Sequence, residues 1–347
     1  MSDRLETLRA LSAIPGVSGT ERAVREEILR RIEGCYESAE TDPLGNLIVF
    51  KRGKAAPRNS LLFSAHMDEV GLIVTFIEET GLLRFAPIGG IDSRTVFGRA
   101  VEIGQKRIPG VIGGKATHQL SSSEGKEPPK FDKLCIDIGA AGRQEAEALV
   151  SPGDRAVFSG PLLELGEDMI LGRAFDDRAG CALLVGLIRS ELPCDCSFSF
   201  TVQEETGCVG AMTAGFNAGA DICVAVETTT AGDVAGSPPA EEVAKLGGGP
   251  VISFMDKGTV YDPELYSLAF AVAGREKIAC QPKTAVAGGN ESRSLQTAGR
   301  GARVLAVSLP CRYLHTPSCV LHKGDIDMAG RLLCALIPAL GEVPAKQ

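Results

Sequence analysis

Residues 197–210 read SFSFTVQEETGCVG, and the fold turns on this stretch. Phe198, Phe200 and Val202 alternate with small polar residues, the pattern of a strand entering a core. Two adjacent acids follow, Glu204 and Glu205, where Gly207 and Gly210 turn the chain. Paired carboxylates at a strand's end repel each other and resist burial unless a counter-charge arrives, and a metal ion is the usual one. Successive side chains of a strand point to opposite faces, so neighbouring glutamates can take different tasks, one holding a cation and one handling protons. An isolated Glu-Glu pair is more often a solvated turn, so the rest of the chain decides.

On the N-terminal side, 61–65 is an apolar run without alternation, as in a strand buried on both faces. It ends in His66-Met67-Asp68-Glu69. Ligands of open α/β sheets bind beyond the strands' carboxyl ends. His66 is placed there as a metal ligand, with Asp68 able to hold its other ring nitrogen. Asp176 and Asp177 open a small apolar helical segment at 182–188, where paired aspartates serve equally well as helix caps. Beyond the central stretch, 222–226 reads as another buried strand, and it ends in an acid, Glu227. A further strand at 304–309 leads into Cys311-Arg312-Tyr313-Leu314-His315-Thr316-Pro317.

Between Val70 and Gly166 the character changes. Short β-like runs at 82–88, 100–103, 110–112 and 134–138 are separated by glycines and prolines, with one helical stretch at 143–150. This is the pattern of a small all-β module inserted into an α/β domain. His118 opens its polar loop, 117–133, and is a candidate substrate contact. The N-terminal thirty-odd residues read as two helices. Leu5, Leu8 and Leu11 line the first and Val24, Ile28 and Ile32 the second, with Ser18 and Glu21 as a capping box. Helices are also expected at 211–220, 263–274 and 326–340.

A chain of 347 residues suffices for one large domain with a smaller companion. Its net charge of -8 argues against a general nucleic-acid binder, which needs a basic surface. The opening residues, Met1 to Glu6, are charged and show no apolar signal core. No apolar run approaches membrane-spanning length. The eleven cysteines sit mostly in apolar or helical contexts, which reads as reduced thiols and a cytoplasmic location.

Together His66, Asp176, Glu205, Glu227 and His315 supply five nitrogen and oxygen donors. That set suits a pair of borderline divalent ions such as zinc or cobalt, with one carboxylate bridging. Glu204 is the acid left over, the natural general base for a metal-bound water. Two metals about 3.5–4 Å apart acidify that water and stabilise a tetrahedral oxyanion, which makes amide hydrolysis the economical reading.

The ordered set His66-x-Asp68, Asp176-Asp177-Arg178-x-Gly180, Glu204-Glu205-x-Gly207, Glu227 and Tyr313-x-His315-x-Pro317 resembles the M42 metallo-aminopeptidases over nearly the whole chain. The resemblance implies a mixed-sheet α/β zinc-peptidase domain sandwiched by helices, residues 1–69 and 166–347, with a barrel-like all-β domain at 70–165. It implies that His66 and Glu227 hold one metal, Glu205 and His315 the other, and that Asp176 bridges. Asp177 would follow the bridge across an unusual peptide bond, Asp68 would orient His66, and Glu204 would carry the proton from water to the leaving amine. Short peptides would be the substrates, and the chain would form a homo-oligomer, a dodecamer in many relatives. Two positions depart from the family. Glu227 stands for the usual aspartate, and Gly288-Gly289-Asn290-Glu291 for Gly-Gly-Thr-Asp, which makes Asn290 and Glu291 candidate substrate contacts. A deacylase or carboxypeptidase on the same core is the nearest rival, and an inactive assembly protein the more distant one. The β module favours the aminopeptidase, and no expected donor is missing.

Overall fold

A computed structural model describes residues 3–122, 124–238 and 241–344. Met1, Ser2 and the loop residue Ser123 lie outside the described residues. Four parallel strands form the centre of an eight-stranded sheet: Cys196–Thr201, Leu61–His66, Ile222–Thr230 and Arg303–Cys311, in that spatial order. Every residue of Leu61–His66 is buried, which is why its sequence shows no alternation. Antiparallel strands Leu47–Lys51 and Ser38–Thr41 extend one side. Val251–Ile252, antiparallel to Arg303–Cys311, and Gln281–Pro282 extend the other.

Phe63, Phe198, Val224 and Leu305 share one apolar core with helices Asp3–Ser12, Arg22–Ile32, Phe175–Arg189, Pro263–Arg275 and Lys323–Gly341. The adjacent residues Leu62, Cys223, Val304 and Ala306 pack on the opposite face, against Ala211 and Leu295 of helices Val209–Ala218 and Ser292–Leu295. Helices therefore cover both faces, and the carboxyl edge of the parallel strands stays open for chemistry.

The second unit leaves the chain just after the His66 turn. Strands Gly71–Ile77, Leu83–Ile88, Ala100–Ile103, Ile108–Gly114, Leu134–Asp137 and Arg155–Phe158 close into an antiparallel barrel. Leu72, Val101, Ile112 and Ile136 fill its own core. Closure leaves no unpaired strand edge. Leu163–Leu165 belongs instead to a three-stranded sheet with Met169–Gly172 and Cys319–His322.

Two local readings change. Ser18 and Glu21 form no capping box, because each has a distant partner: Ser18 Oγ donates to Asp68 at 2.6 Å, and the Glu21 carboxylate accepts from the Gln203 amide at 3.1 Å. The strand read at 222–226 runs on to Thr230, since it keeps pairing with Arg303–Cys311 as far as Thr230–Cys311. Its pairing with Leu61–His66 stops at Ala225–Ser64. Glu227 thus stands two residues beyond the last paired position, level with His66 at the end of the neighbouring strand.

Candidate metal centre

All four parallel strands deliver a group to one place. His66 is the last residue of its strand, and Thr201 pairs with it just before the Glu204 turn. Glu227 stands within Ile222–Thr230, and His315 follows Arg303–Cys311. Asp176 arrives from the start of Phe175–Arg189, where Asp176 and Asp177 depart from helical angles and the peptide bond between them is cis. Ala174, Gln203, Cys208, Tyr313 and His315 all hold left-handed φ values of 55–58°, although none is glycine. Such backbone strain concentrates at functional sites, where the surrounding fold enforces it.

The carboxylate of Asp176 lies between the two imidazoles. Its Oδ1 is 3.2 Å from His66 Nε2 and its Oδ2 is 3.0 Å from His315 Nε2. Glu227 Oε2 stands 3.7 Å from His66 Nε2 on one side. On the other, Glu205 Oε1 is 3.3 Å from His315 Nε2 but out of line for a hydrogen bond. Two trios, His66–Asp176–Glu205 and His66–Asp177–Glu227, each bring a donor atom of every member within 4.8 Å of the others. Asp177 in the second trio was not among the donors expected from the sequence.

A cation fits this set. Glu205 Oε1, Glu227 Oε1 and Asp177 Oδ2 are buried without a hydrogen-bond partner, an arrangement that costs free energy unless a positive charge balances it. Burial raises the carboxyl pKa of Glu205 and holds that of Glu227 well above the usual range, while His66 and His315 work against the rise. Burial would lower His315, yet the hydrogen bond to Asp176 and the adjacent Glu205 carboxylate push it up to about 11. His66 is raised in the same sense by Asp176 and Asp68, against its complete burial. Binding of a metal by these donors would compete with protons for them. Glu204 is pushed up to about 8 by burial and by Glu205 and Asp176, with His66 opposing.

Behind the cluster lies a layer of positioning contacts. Asp68 Oδ1 stands 3.4 Å from His66 Nδ1 and accepts the Glu204 amide at 3.0 Å, and its Oδ2 accepts the Glu205 amide at 3.2 Å. One carboxylate therefore fixes both the histidine and the two-glutamate turn. Arg178, fully buried, donates to the carbonyls of Met67 at 2.8 Å and Ile14 at 3.0 Å, and Glu69 lies between it and Arg173. Asn46 accepts the Val202 amide at 2.9 Å and donates to the Gly210 carbonyl at 3.0 Å, clasping the same turn. At Gly180 a Cβ would fall 2.3 Å from Asp177 Oδ2 and 2.6 Å from the Val226 carbonyl, so no side chain fits. Most of these partners are far apart in sequence, and among them Asp68, Arg178 and Gly180 stood in the motifs read from the chain.

A cleft opens over the cluster, lined by His66, Asp176, Glu204, Glu227 and His315, and on its far wall by Asn290 and Lys283. Asn290 is held there by Tyr261, whose hydroxyl accepts its Nδ2 at 3.0 Å. Glu291 does not line this cleft: it is fully buried, and its Oε2 accepts from Thr201 Oγ1 at 2.6 Å. His118 lies exposed in a short turn, Thr117–Gln119, and also lines no part of it. Lys283 went unnoticed in the sequence, one of 36 lysines and arginines without a distinguishing motif.

A helix-covered parallel sheet with a His/carboxylate cluster at its carboxyl edge is the scaffold of a hydrolase of the metallopeptidase kind. The profile of the M42 glutamyl aminopeptidase family matches residues 45–332, and the chain belongs to that family. A relative from Acetivibrio thermocellus is 37% identical over 337 residues, 96% of this chain and 98% of its own. The lysyl aminopeptidase of Pyrococcus furiosus is 28% identical over 345 residues, 96% of this chain and 97% of its own. Among solved structures, the TET1 peptidase of Pyrococcus horikoshii, which assembles into a tetrahedron or a large octahedral shell, superposes with a TM-score of 0.86 at 35% identity, covering 96% of this chain and 99% of its own. The protein is accordingly an enzyme, an aminopeptidase of the hydrolase class.

Proposed function

We propose that the protein is a two-metal aminopeptidase that releases the N-terminal residue of short peptides, with Glu204 as general base. The observation that carries this reading is the position of Asp176, with one carboxylate oxygen toward each histidine at 3.2 and 3.0 Å. A carboxylate so placed is disposed to be shared between two cations. His66 and Glu227 would hold one and Glu205 and His315 the other, and the mixed nitrogen and oxygen donors favour zinc or cobalt. When bound, the ions supply an acidified water and a polarised peptide carbonyl.

The remaining steps belong to the chain. Glu204 lies beside the cluster, half-buried in the cleft wall, and takes the proton from the attacking water before passing it to the leaving amine. Asp68 keeps that base in register with His66, because it accepts the backbone amides of Glu204 and Glu205. Residues 1–69 and 166–347 form the catalytic unit in this reading and 70–165 the inserted one. The P. horikoshii peptidase, also known as a dodecamer, supports a homo-oligomer for this chain too, and a dodecamer is the form we propose. Eleven free cysteines support a cytoplasmic setting. Among the described residues no helix is long and apolar enough to cross a membrane.

One peptide in free-amine and N-acetylated forms provides the test. Cleavage of the free amine alone, abolished by a chelator and restored by zinc or cobalt, is the expected result. Preference for the acetylated form would replace this reading with a deacylase.

A further inference from the structure

The family description says glutamyl and one relative is a lysyl aminopeptidase, so side-chain preference has to be read from this chain's own cleft. Lys283 stands in its wall with Thr228, Thr229, Asn290 and Ser308. The residue follows the edge strand Gln281–Pro282, and its backbone amide donates to the Ile252 carbonyl at 2.9 Å, so its position is set by the sheet. It is 6% exposed, yet among the described residues its ammonium makes no ion pair and no side-chain hydrogen bond. Buried ammonium groups are ordinarily paired, and burial lowers the pKa of this one.

The two acids that act on Lys283 are both engaged elsewhere. Asp256 accepts the amides of Gly258 at 2.7 Å and Thr259 at 2.8 Å and the hydroxyl of Tyr261 at 2.6 Å. Glu227 faces His66. What remains is a positive charge in the wall of the cleft that, among the described residues, no carboxylate pairs with directly, Asp256 and Glu227 acting on it only through space. We propose that Lys283 is the subsite for a carboxylate of the peptide substrate, which makes it a specificity-determining residue of the aminopeptidase reading on which this rests. A short acidic peptide can present that carboxylate in two ways, as the side chain of its first residue or as its terminal carboxylate.

Two substrate pairs tell these apart on the metal-loaded enzyme: glutamyl- against glutaminyl-anilide, and a Leu-Leu dipeptide against its C-terminal amide. One pair should favour the carboxylate in kcat/KM by about 10- to 100-fold, the scale of a hydrogen bond to a charged group, and mainly through KM. Which pair responds identifies the source. Lys283→Met should bring that ratio toward one, Lys283→Glu should invert it, and Lys283→Arg should keep part of it. Equal rates within both pairs for the unaltered enzyme would overturn the subsite without any variant having to fold. So would a preference that survives Lys283→Met. Failure to cleave any free-amine peptide is a separate outcome, which removes the aminopeptidase reading and the subsite with it.

Discussion

The α/β sheet and the barrel satisfy their polar groups differently. Among the described residues, Asp177, Glu205, Glu227 and Glu291 carry a buried carboxylate oxygen without a hydrogen-bond partner, and none of the four lies in the barrel. The barrel is closed, and its interior is built from residues such as Leu72, Ile112 and Ile136. It reaches the cluster through a backbone contact: the Gly90 carbonyl lies 3.0 Å from His315 Nδ1. That contact orients the ring through Nδ1 and directs Nε2, the nitrogen that would hold a metal, toward Asp176. Unpartnered buried carboxylates and most of the left-handed non-glycine residues are thus gathered at one sheet edge, while the neighbouring module orients one ring.

Variants on the two sides sharpen this division. Glu204→Gln keeps shape without basicity and should lower kcat by about 10²- to 10⁴-fold while leaving metal content unchanged, measured by elemental analysis beside initial rates. Loss of metal in that variant would make Glu204 a ligand and undo the assignment of roles. Ile136→Ala empties part of the barrel core and should cost about 2–5 kcal/mol of stability there. Hydrogen exchange should quicken in Leu83–Ile88 and Ile108–Gly114 but not in Leu61–His66, and uniform quickening would show that the units are not separable. Asp68→Asn should have the smallest effect, about 10- to 100-fold in metal affinity, because it weakens the hold on His66 without removing a donor. Affinity at the unaltered level would limit Asp68 to a structural role in the turn.

Much of the cluster was legible because parallel strands are short apolar runs, and a charge straight after such a run has to be at the sheet's edge. His66 closes its strand, and Glu204, Glu205 and His315 come within four residues of the ends of theirs. Asp176 and Asp177 were read at the start of a helix, where a capping role looked equally good. Glu227 was taken for a strand's end when the strand continues, because only the neighbouring pairing shows which side opens. What stayed hidden depends on contacts between distant segments. Ser18 was read as a local cap, but its partner Asp68 is brought to it by the fold. Nothing in the sequence ties Asn46 to Val202 and Gly210, which the fold closes on it. No spacing rule could single out Lys283, or the burial of Glu291 beside Thr201.

The claim that everything else leans on is that Asp176 is shared. Metal counts of the purified protein, of His315→Ala and of Asp176→Ala, by elemental analysis after equilibration with zinc, test it most directly. Two ions per chain, falling to one without His315 and to none held tightly without Asp176, is the predicted result. Two ions retained by Asp176→Ala would contradict the bridge and the mechanism built on it.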